Sequence, residues 1–150
     1  MPVRIQQNHF NPWSELTDYE SFLQSQNDRY YAIGATATFV GTMRDFNEGD
    51  DVESMVLEHY PEMVIHVISE LESRAHDRWS LHDIFIMHRI GQIYPGEPIV
   101  LIAVWSAHRK DAFEACRYVI EQLKSTAPFW KQEKLASGDK RWVENNTAGY

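Results

Sequence analysis

Residues 83–105, with the sequence DIFIMHRIGQIYPGEPIVLIAVW, contain two apolar runs separated by a polar connection. The runs cover 83–90 and 98–105, and their length and their content of β-branched and aromatic residues are typical of buried strands. The connection contains a Pro-Gly pair, which marks a turn. This stretch therefore predicts a β-hairpin.

Helices are predicted on both sides of the hairpin. Pro61 suits the first turn of a helix, and apolar residues then recur at helical spacing as far as residue 79. After the hairpin, a second apolar stripe of the same spacing runs from Ala112 to Leu123 and includes Cys116. Pro128 is expected to end this helix, because proline lacks the amide donor and disfavours helix in the residue before it.

The remaining segments complete the order α, ββ, α, ββ, α, followed by an irregular tail. They are a helix over 14–25, strands over 30–40 and 52–60, and a polar loop over 41–51 between these strands. Thr17 and Glu20 have the spacing of a capping box for the first helix. This order predicts one α+β domain over 1–150, with mostly antiparallel sheet and flanking helices.

The composition indicates a folded globular protein. The length of 150 residues suits a single domain, and 43% hydrophobic with 24% charged residues is close to the globular average. No stretch approaches the ~20 consecutive apolar residues of a membrane span, and the N-terminus lacks the apolar segment of a signal peptide. A cytoplasmic protein without membrane contact is therefore expected. Cys116 is the only cysteine and lies on an apolar helix stripe, so it is expected to be a core residue rather than a nucleophile.

The formal net charge of -8 is unevenly distributed along the chain. Before His108, six Lys and Arg stand against 16 Asp and Glu, whereas from His108 onward eight stand against six. An acidic protein repels a nucleic-acid backbone at long range, so no nucleic-acid partner is expected. The late basic residues are still able to form a local pocket for a small anion.

The common nucleotide-binding, zinc-protease and serine-hydrolase motifs do not occur in the sequence. The candidate functional residues that remain are basic. His108 and Arg109 stand at the start of a predicted helix, where unpaired amides favour an anion such as phosphate. Lys124 lies at the other end of this helix, Lys131 follows it, and Arg44 lies in the polar loop.

Each of these residues also has a purely structural interpretation. A lysine near a helix C-terminus complements the helix dipole, and a charged loop residue is commonly exposed to solvent without a functional role. The scattered histidines lack the spacing of metal ligands, so no metal site is predicted. The residues alone therefore indicate an α+β domain with a candidate phosphate pocket.

Five segments extend this interpretation. GTMRDFNEGDDV, LEHYPEM, HRIG with IYPGE, SAHRKDAFEA and LKSTAPFWKQE occur in this order between residues 35 and 144. Taken together they resemble the large, catalytic subunit of molybdopterin synthase. The resemblance implies an α/β hammerhead-like fold with a small extra sheet.

The resemblance also implies an activity and its partners. Enzymes of this family are sulfurtransferases that place two sulfurs on cyclic pyranopterin monophosphate, forming the dithiolene of molybdopterin. The sulfur arrives on a ubiquitin-like small subunit, whose C-terminal Gly-Gly carries a thiocarboxylate. Large subunits form a homodimer within a heterotetramer, and the reaction needs no cofactor because the carrier supplies the sulfur.

The family's functional positions fall largely on the basic residues already singled out. The resemblance implies Lys124 and Lys131 as catalytic residues. It implies substrate binding by Thr42, Met43, Arg44, His108, Arg109, Lys124, Lys131, Gln132 and Glu133. Gln132 stands where many relatives carry a basic residue, which argues against charge binding by this side chain. Arginine suits a phosphate because its charged fork is bidentate, and a desolvated lysine suits proton transfer.

Two other classes of function remain open at this point. One is a module that binds the pterin phosphate without catalysis, which would place no demand on Lys124. The other is a structural subunit that recruits the ubiquitin-like carrier for a different enzyme. Measured turnover separates both from the enzyme.

Overall fold

A computed structural model describes residues 3–26, 28–126 and 129–143. The helices are α1 (Pro12–Gln26), α2 (Pro61–Arg78) and α3 (Arg109–Thr126), and a single 3-10 turn covers Tyr30–Ala32. The strands are β1 (Val3–Gln6), β2 (Ala35–Thr42), β3 (Phe46–Asn47), β4 (Asp50–His59), β5 (Leu81–Arg89), β6 (Gly91–Ile93), β7 (Pro98–Ser106), β8 (Phe129–Leu135) and β9 (Lys140–Trp142). The prediction of an α+β fold with mostly antiparallel sheet, flanking helices and a small extra sheet is confirmed.

The larger core surrounds a four-stranded sheet in the order β1-β5-β7-β2. β5 and β7 form the predicted antiparallel hairpin, and β1 is the one strand of this sheet that pairs in parallel. The turn predicted at the Pro-Gly pair lies directly before β7. In this turn the Glu97 amide donates to the Tyr94 carbonyl (3.1 Å), and Gly96 has a φ of 86°. β1 was not predicted from the sequence, since a strand of four residues gives only a short pattern.

Helices cover both faces of this sheet. The buried residues of α2 and α3 pack on one face with Ile84, Ile86 and Ile102. α1 covers the other face, where Tyr19 stacks on Phe85 with ring centroids 4.2 Å apart. The capping box predicted for α1 is wrong, because Asn11 Oδ1 accepts from the first amides of this helix instead. No helix within the described ranges is long and apolar enough to cross a membrane.

The smaller sheet has the order β3-β4-β8-β9, and β6 also pairs with β4. It corrects two predictions. The polar loop at 41–51 contains the β3–β4 hairpin, whose two turn residues Glu48 and Gly49 have φ of 51° and 82°. The tail after α3 is not irregular, since it forms β8 and β9. The strand predicted over 30–40 begins only at residue 35, and Pro128 lies outside the described residues.

Candidate active site

Two adjoining cavities lie where the C-terminal end of α3 meets both sheets. The first, here called the polar cavity, is lined by Thr42, Met43, Arg44, Phe46, Asn47, Met55, Ile99, Lys124, Lys131, Glu133 and Val143. The second, here called the apolar cavity, is lined by Phe39, Gly41, Thr42, His88, Ile99, Val100, Ile120, Leu123, Lys124, Phe129, Lys131 and Val143. Lys124 and Lys131 belong to both linings, so they stand on the wall that the two cavities share.

Strand alternation explains which residues of β8 reach the cavities. Successive side chains of a strand point to opposite faces, so Lys131 and Glu133 share one face and Gln132 lies on the other. Lys131 and Glu133 accordingly line the polar cavity, whereas Gln132 lines neither cavity. This placement agrees with the argument against charge binding by Gln132.

The segment that carries Thr42, Met43 and Arg44 is anchored by the turn before β7. The Met43 amide donates to the Glu97 carbonyl, and the Met43 carbonyl accepts from the Gly96 amide, both at 2.9 Å. Glu97 is itself held by an ion pair of 3.0 Å with the buried Arg89. The HRIG and IYPGE segments therefore position the loop that carries Thr42, Met43 and Arg44, through contacts that were not predicted from the sequence.

The two lysines at the shared wall have perturbed acid–base behaviour. Burial, and then the nearby charge of Lys124, lowers the pKa of Lys131 to about 8 against the opposing effect of Glu133. Partial burial, and then the charge of Arg44, lowers the pKa of Lys124. These directions follow from the cost of a cation away from water and beside other cations. Lysines of this kind are suited to proton transfer near neutral pH.

Glu133, which lines the polar cavity, is held in place by a hydrogen-bond network. It is buried, accepts from Asn47 Nδ2 at 3.2 Å, and accepts from Arg141 Nε at 3.0 Å. Arg141 also donates to Asp50 and to the Asn47 carbonyl, both at 2.7 Å. The network joins β3, β4, β8 and β9 beside the polar cavity, and Arg141 carries no signal in the sequence that would have predicted it.

His88 contributes an uncharged polar group to the apolar cavity. Its side chain is buried, and its ring stacks on Phe129 with centroids 4.1 Å apart. Its Nδ1 lies 2.7 Å from the Arg89 carbonyl oxygen, to which it must donate because a carbonyl only accepts. Burial, together with the charges of Lys131 and Lys124, lowers the pKa of His88 to about 4, so the ring is neutral at physiological pH.

His108 and Arg109 are not brought to these cavities within one chain. They lie at the N-terminal end of α3, and the 15 residues from Arg109 to Lys124 span about 22 Å along the helix. Arg109 and Lys124 are therefore far apart within a single chain. Arg44 is the arginine whose charge acts on Lys124.

Cys116 is buried in the main core, as predicted, and burial raises the pKa of its thiol to about 11. A protonated, buried thiol is a poor nucleophile. Across 3–26, 28–126 and 129–143, no group of three or more His, Cys, Asp or Glu side chains is arranged to hold a metal ion.

The fold and this site define a mixed α+β protein in which Arg44, Lys124 and Lys131 line a cavity that adjoins the apolar cavity. The family described as MoaE protein matches residues 13–126. A molybdopterin synthase catalytic subunit of Pseudomonas aeruginosa is 47% identical over 144 residues, covering 96% of this chain and 91% of the relative. That of Escherichia coli is 47% identical over 133 residues, covering 89% and 85%.

A solved structure leads to the same family. The molybdopterin synthase of Staphylococcus aureus superposes with a TM-score of 0.82 at 28% identity, covering 97% of this chain and 98% of that one. The chain belongs to the MoaE family.

Proposed function

We propose that this chain is the catalytic subunit of a molybdopterin synthase and acts as a sulfurtransferase. It takes sulfur from the C-terminal thiocarboxylate of a ubiquitin-like carrier and places it on cyclic pyranopterin monophosphate. The name of the relatives, molybdopterin synthase catalytic subunit, supports the enzyme class. The observation that carries the proposal is the pair Lys124 and Lys131 on the wall shared by a polar and an apolar cavity.

The two cavities suit the two reactants. The polar cavity presents the guanidinium of Arg44 near Lys124 and Lys131, which favours a phosphate-bearing pterin. The apolar cavity suits an extended Gly-Gly tail, which has no side chains to clash with its walls. The reacting carbon and sulfur then meet at the lysines.

The reaction needs charge stabilisation and proton transfer, both of which these residues supply. In one transfer a carbon–sulfur bond replaces the bond from carbon to the phosphate oxygen, which opens the cyclic phosphate. In the other, sulfur replaces the oxygen of the neighbouring carbon, which leaves as water. After each carbon–sulfur bond has formed, water cleaves the acyl–sulfur bond and the carrier leaves as a carboxylate, so neither transfer needs an oxidant or a reductant. Arg44 stabilises the opened phosphate, and Lys124 and Lys131 donate and accept the protons.

His108 and Arg109 fit this proposal only if a second copy supplies them. The resemblance assigns them to the substrate, yet they lie about 22 Å from Lys124 along the same helix. In the homodimer that the resemblance implies, the α3 N-terminus of one chain would face the cavities of the other. Mixed dimers of Lys124→Ala and Arg109→Ala chains should then contain one intact site and regain part of the activity that each variant lacks alone.

The test of the proposed function is a reconstituted reaction of chain, thiocarboxylated carrier and cyclic pterin phosphate. Lys124→Ala should abolish product formation while changing the free energy of unfolding by no more than about 0.5 kcal/mol. Lys134→Ala is the matched control, because Lys134 is an exposed lysine of the same strand as Lys131 and pairs with Glu53. Normal turnover by Lys124→Ala would instead support a non-catalytic module that binds the pterin phosphate or the carrier.

A further inference from the structure

His88 belongs to a row of three residues that crosses the larger sheet. In the paired strands it lies opposite Val100, and Val100 lies opposite Gly41 on the far side. Gly41 has no side chain, and a Cβ there would lie 2.8 Å from Val100 Cγ1. This row of three residues forms part of the wall of the apolar cavity.

The chemistry of His88 is fixed by its surroundings. Because Nδ1 donates to the Arg89 carbonyl, the hydrogen of the neutral ring is on Nδ1 and the lone pair is on Nε2. Stacking on Phe129 holds the ring plane. Within the described part of the chain, no hydrogen bond ends on Nε2. The cavity therefore contains an oriented, uncharged hydrogen-bond acceptor.

The other polar side chains of this cavity are those of Thr42, Lys124 and Lys131. Lys124 and Lys131 are donors when protonated, and Thr42 lies at the end of β2 on the lining shared with the polar cavity. Apart from His88, the remaining lining residues have apolar side chains or, at Gly41, none. A peptide that enters such a space leaves its backbone amide without water, and an unpaired buried amide is costly.

We propose that His88 Nε2 accepts a hydrogen bond from a backbone amide of the carrier's Gly-Gly tail, and so fixes the depth and orientation of the tail. The inference rests on the proposed function, because it takes the carrier tail as the occupant of the apolar cavity. His88 is a binding residue in this account. It places the thiocarboxylate at the lysines without itself exchanging a proton with the reactants.

The direct test removes the amide hydrogen from the carrier and leaves this chain unchanged. Carriers ending in an ordinary carboxylate are prepared with N-methylglycine at each of the two terminal glycines in turn, and binding is measured by calorimetry. One of the two should bind roughly 2- to 13-fold more weakly than the unmodified carrier. A carrier lacking the Gly-Gly tail measures how much binding depends on the tail.

Two variants complete a double-mutant cycle. His88→Phe keeps a ring that stacks on Phe129 and loses the acceptor, so it should weaken binding of the full carrier by a similar factor and leave the truncated carrier unaffected. With His88→Phe, the sensitive N-methylglycine should cause no further loss. His88→Gln, whose side-chain oxygen can accept, should recover part of the affinity.

The outcomes separate the two proposals. Full and truncated carriers that bind equally to the unchanged chain would refute tail insertion, and with it the proposed function. Tail-dependent binding with no effect of either N-methylglycine would overturn only the role of His88. If His88→Phe weakens the binding of both carriers equally, His88 has a structural role and the proposed hydrogen bond is overturned. If His88→Phe keeps its affinity for the carrier but loses turnover at saturating carrier, His88 acts beside the lysines and the proposed hydrogen bond is again overturned.

Discussion

The shifted pKa of Lys131 is the property of the site that a single titration can test. With a pKa of about 8, about a quarter of the Lys131 side chains are neutral at pH 7.5, against roughly 0.1% for an ordinary lysine. The neutral fraction is thus raised by more than about 100-fold. This gain is what would let the residue act as a base near neutral pH.

The assay is NMR of the chain with ¹³C-labelled lysine side chains. The sequence contains five lysines, and single Lys→Arg variants assign the signals. The Lys131 signal should titrate with a midpoint near pH 8, with the exposed Lys110 as the internal comparison.

Two further variants test the cause of the lowered pKa of Lys131. Lys124→Gln removes a charge that lowers the pKa and should raise the midpoint, whereas Glu133→Gln removes a charge that raises it and should lower the midpoint. A midpoint above about pH 10 in the unchanged chain would refute the reasoning.

Three further predictions concern residues around the site. Arg44→Ala should weaken binding of the pterin phosphate by roughly 10- to 150-fold in calorimetry, since a charged hydrogen bond is lost; unchanged affinity would place the phosphate elsewhere. Cys116→Ala should retain turnover, and Cys116→Ser should also do so while losing about 1–3 kcal/mol in denaturant unfolding, because the hydroxyl is buried. Gln132→Ala should turn over normally in the reconstituted reaction, since its side chain lines neither cavity, and a large loss would contradict the alternation of β8.

The main hairpin and the two long helices were predictable because one physical signal dominates each of them. The β5–β7 hairpin is buried on both faces and reads as continuous apolar sequence around a Pro-Gly turn. α2 and α3 place their apolar stripes on that sheet, so helical periodicity is strong. Burial determines the structure of these segments, and it requires an apolar pattern that is visible in the sequence.

β8 was not predictable in the same way, because its cavity-facing positions lack the apolar residues that usually indicate a strand. The cavity-facing positions of this strand carry Lys131 and Glu133 where a structural strand would have apolar residues. The strand is stabilised by its pairing with β4, which the local sequence pattern does not indicate. A conflict between local pattern and observed structure is expected at a functional site.

The candidate site was predictable in residue type and only partly in geometry. The positive character of Arg44, Lys124 and Lys131 was visible in the sequence, but their meeting depends on contacts between distant segments. The sequence placed His108 and Arg109 at the start of a helix and Lys124 near its end, and both positions are confirmed in α3. The roles of Arg89 and Arg141 exist only through tertiary contacts and had no local signal.

The most direct test of the central claim is the origin of the sulfur in the product. The carrier is loaded with a ³⁴S thiocarboxylate and mixed with the unlabelled chain and cyclic pterin phosphate, and the product is analysed by mass spectrometry. The account predicts that both dithiolene sulfurs carry the label, and that Lys124→Ala yields no product under the same conditions. Unlabelled sulfur in the product, or dithiolene formed with a carrier that ends in an ordinary carboxylate, would contradict it.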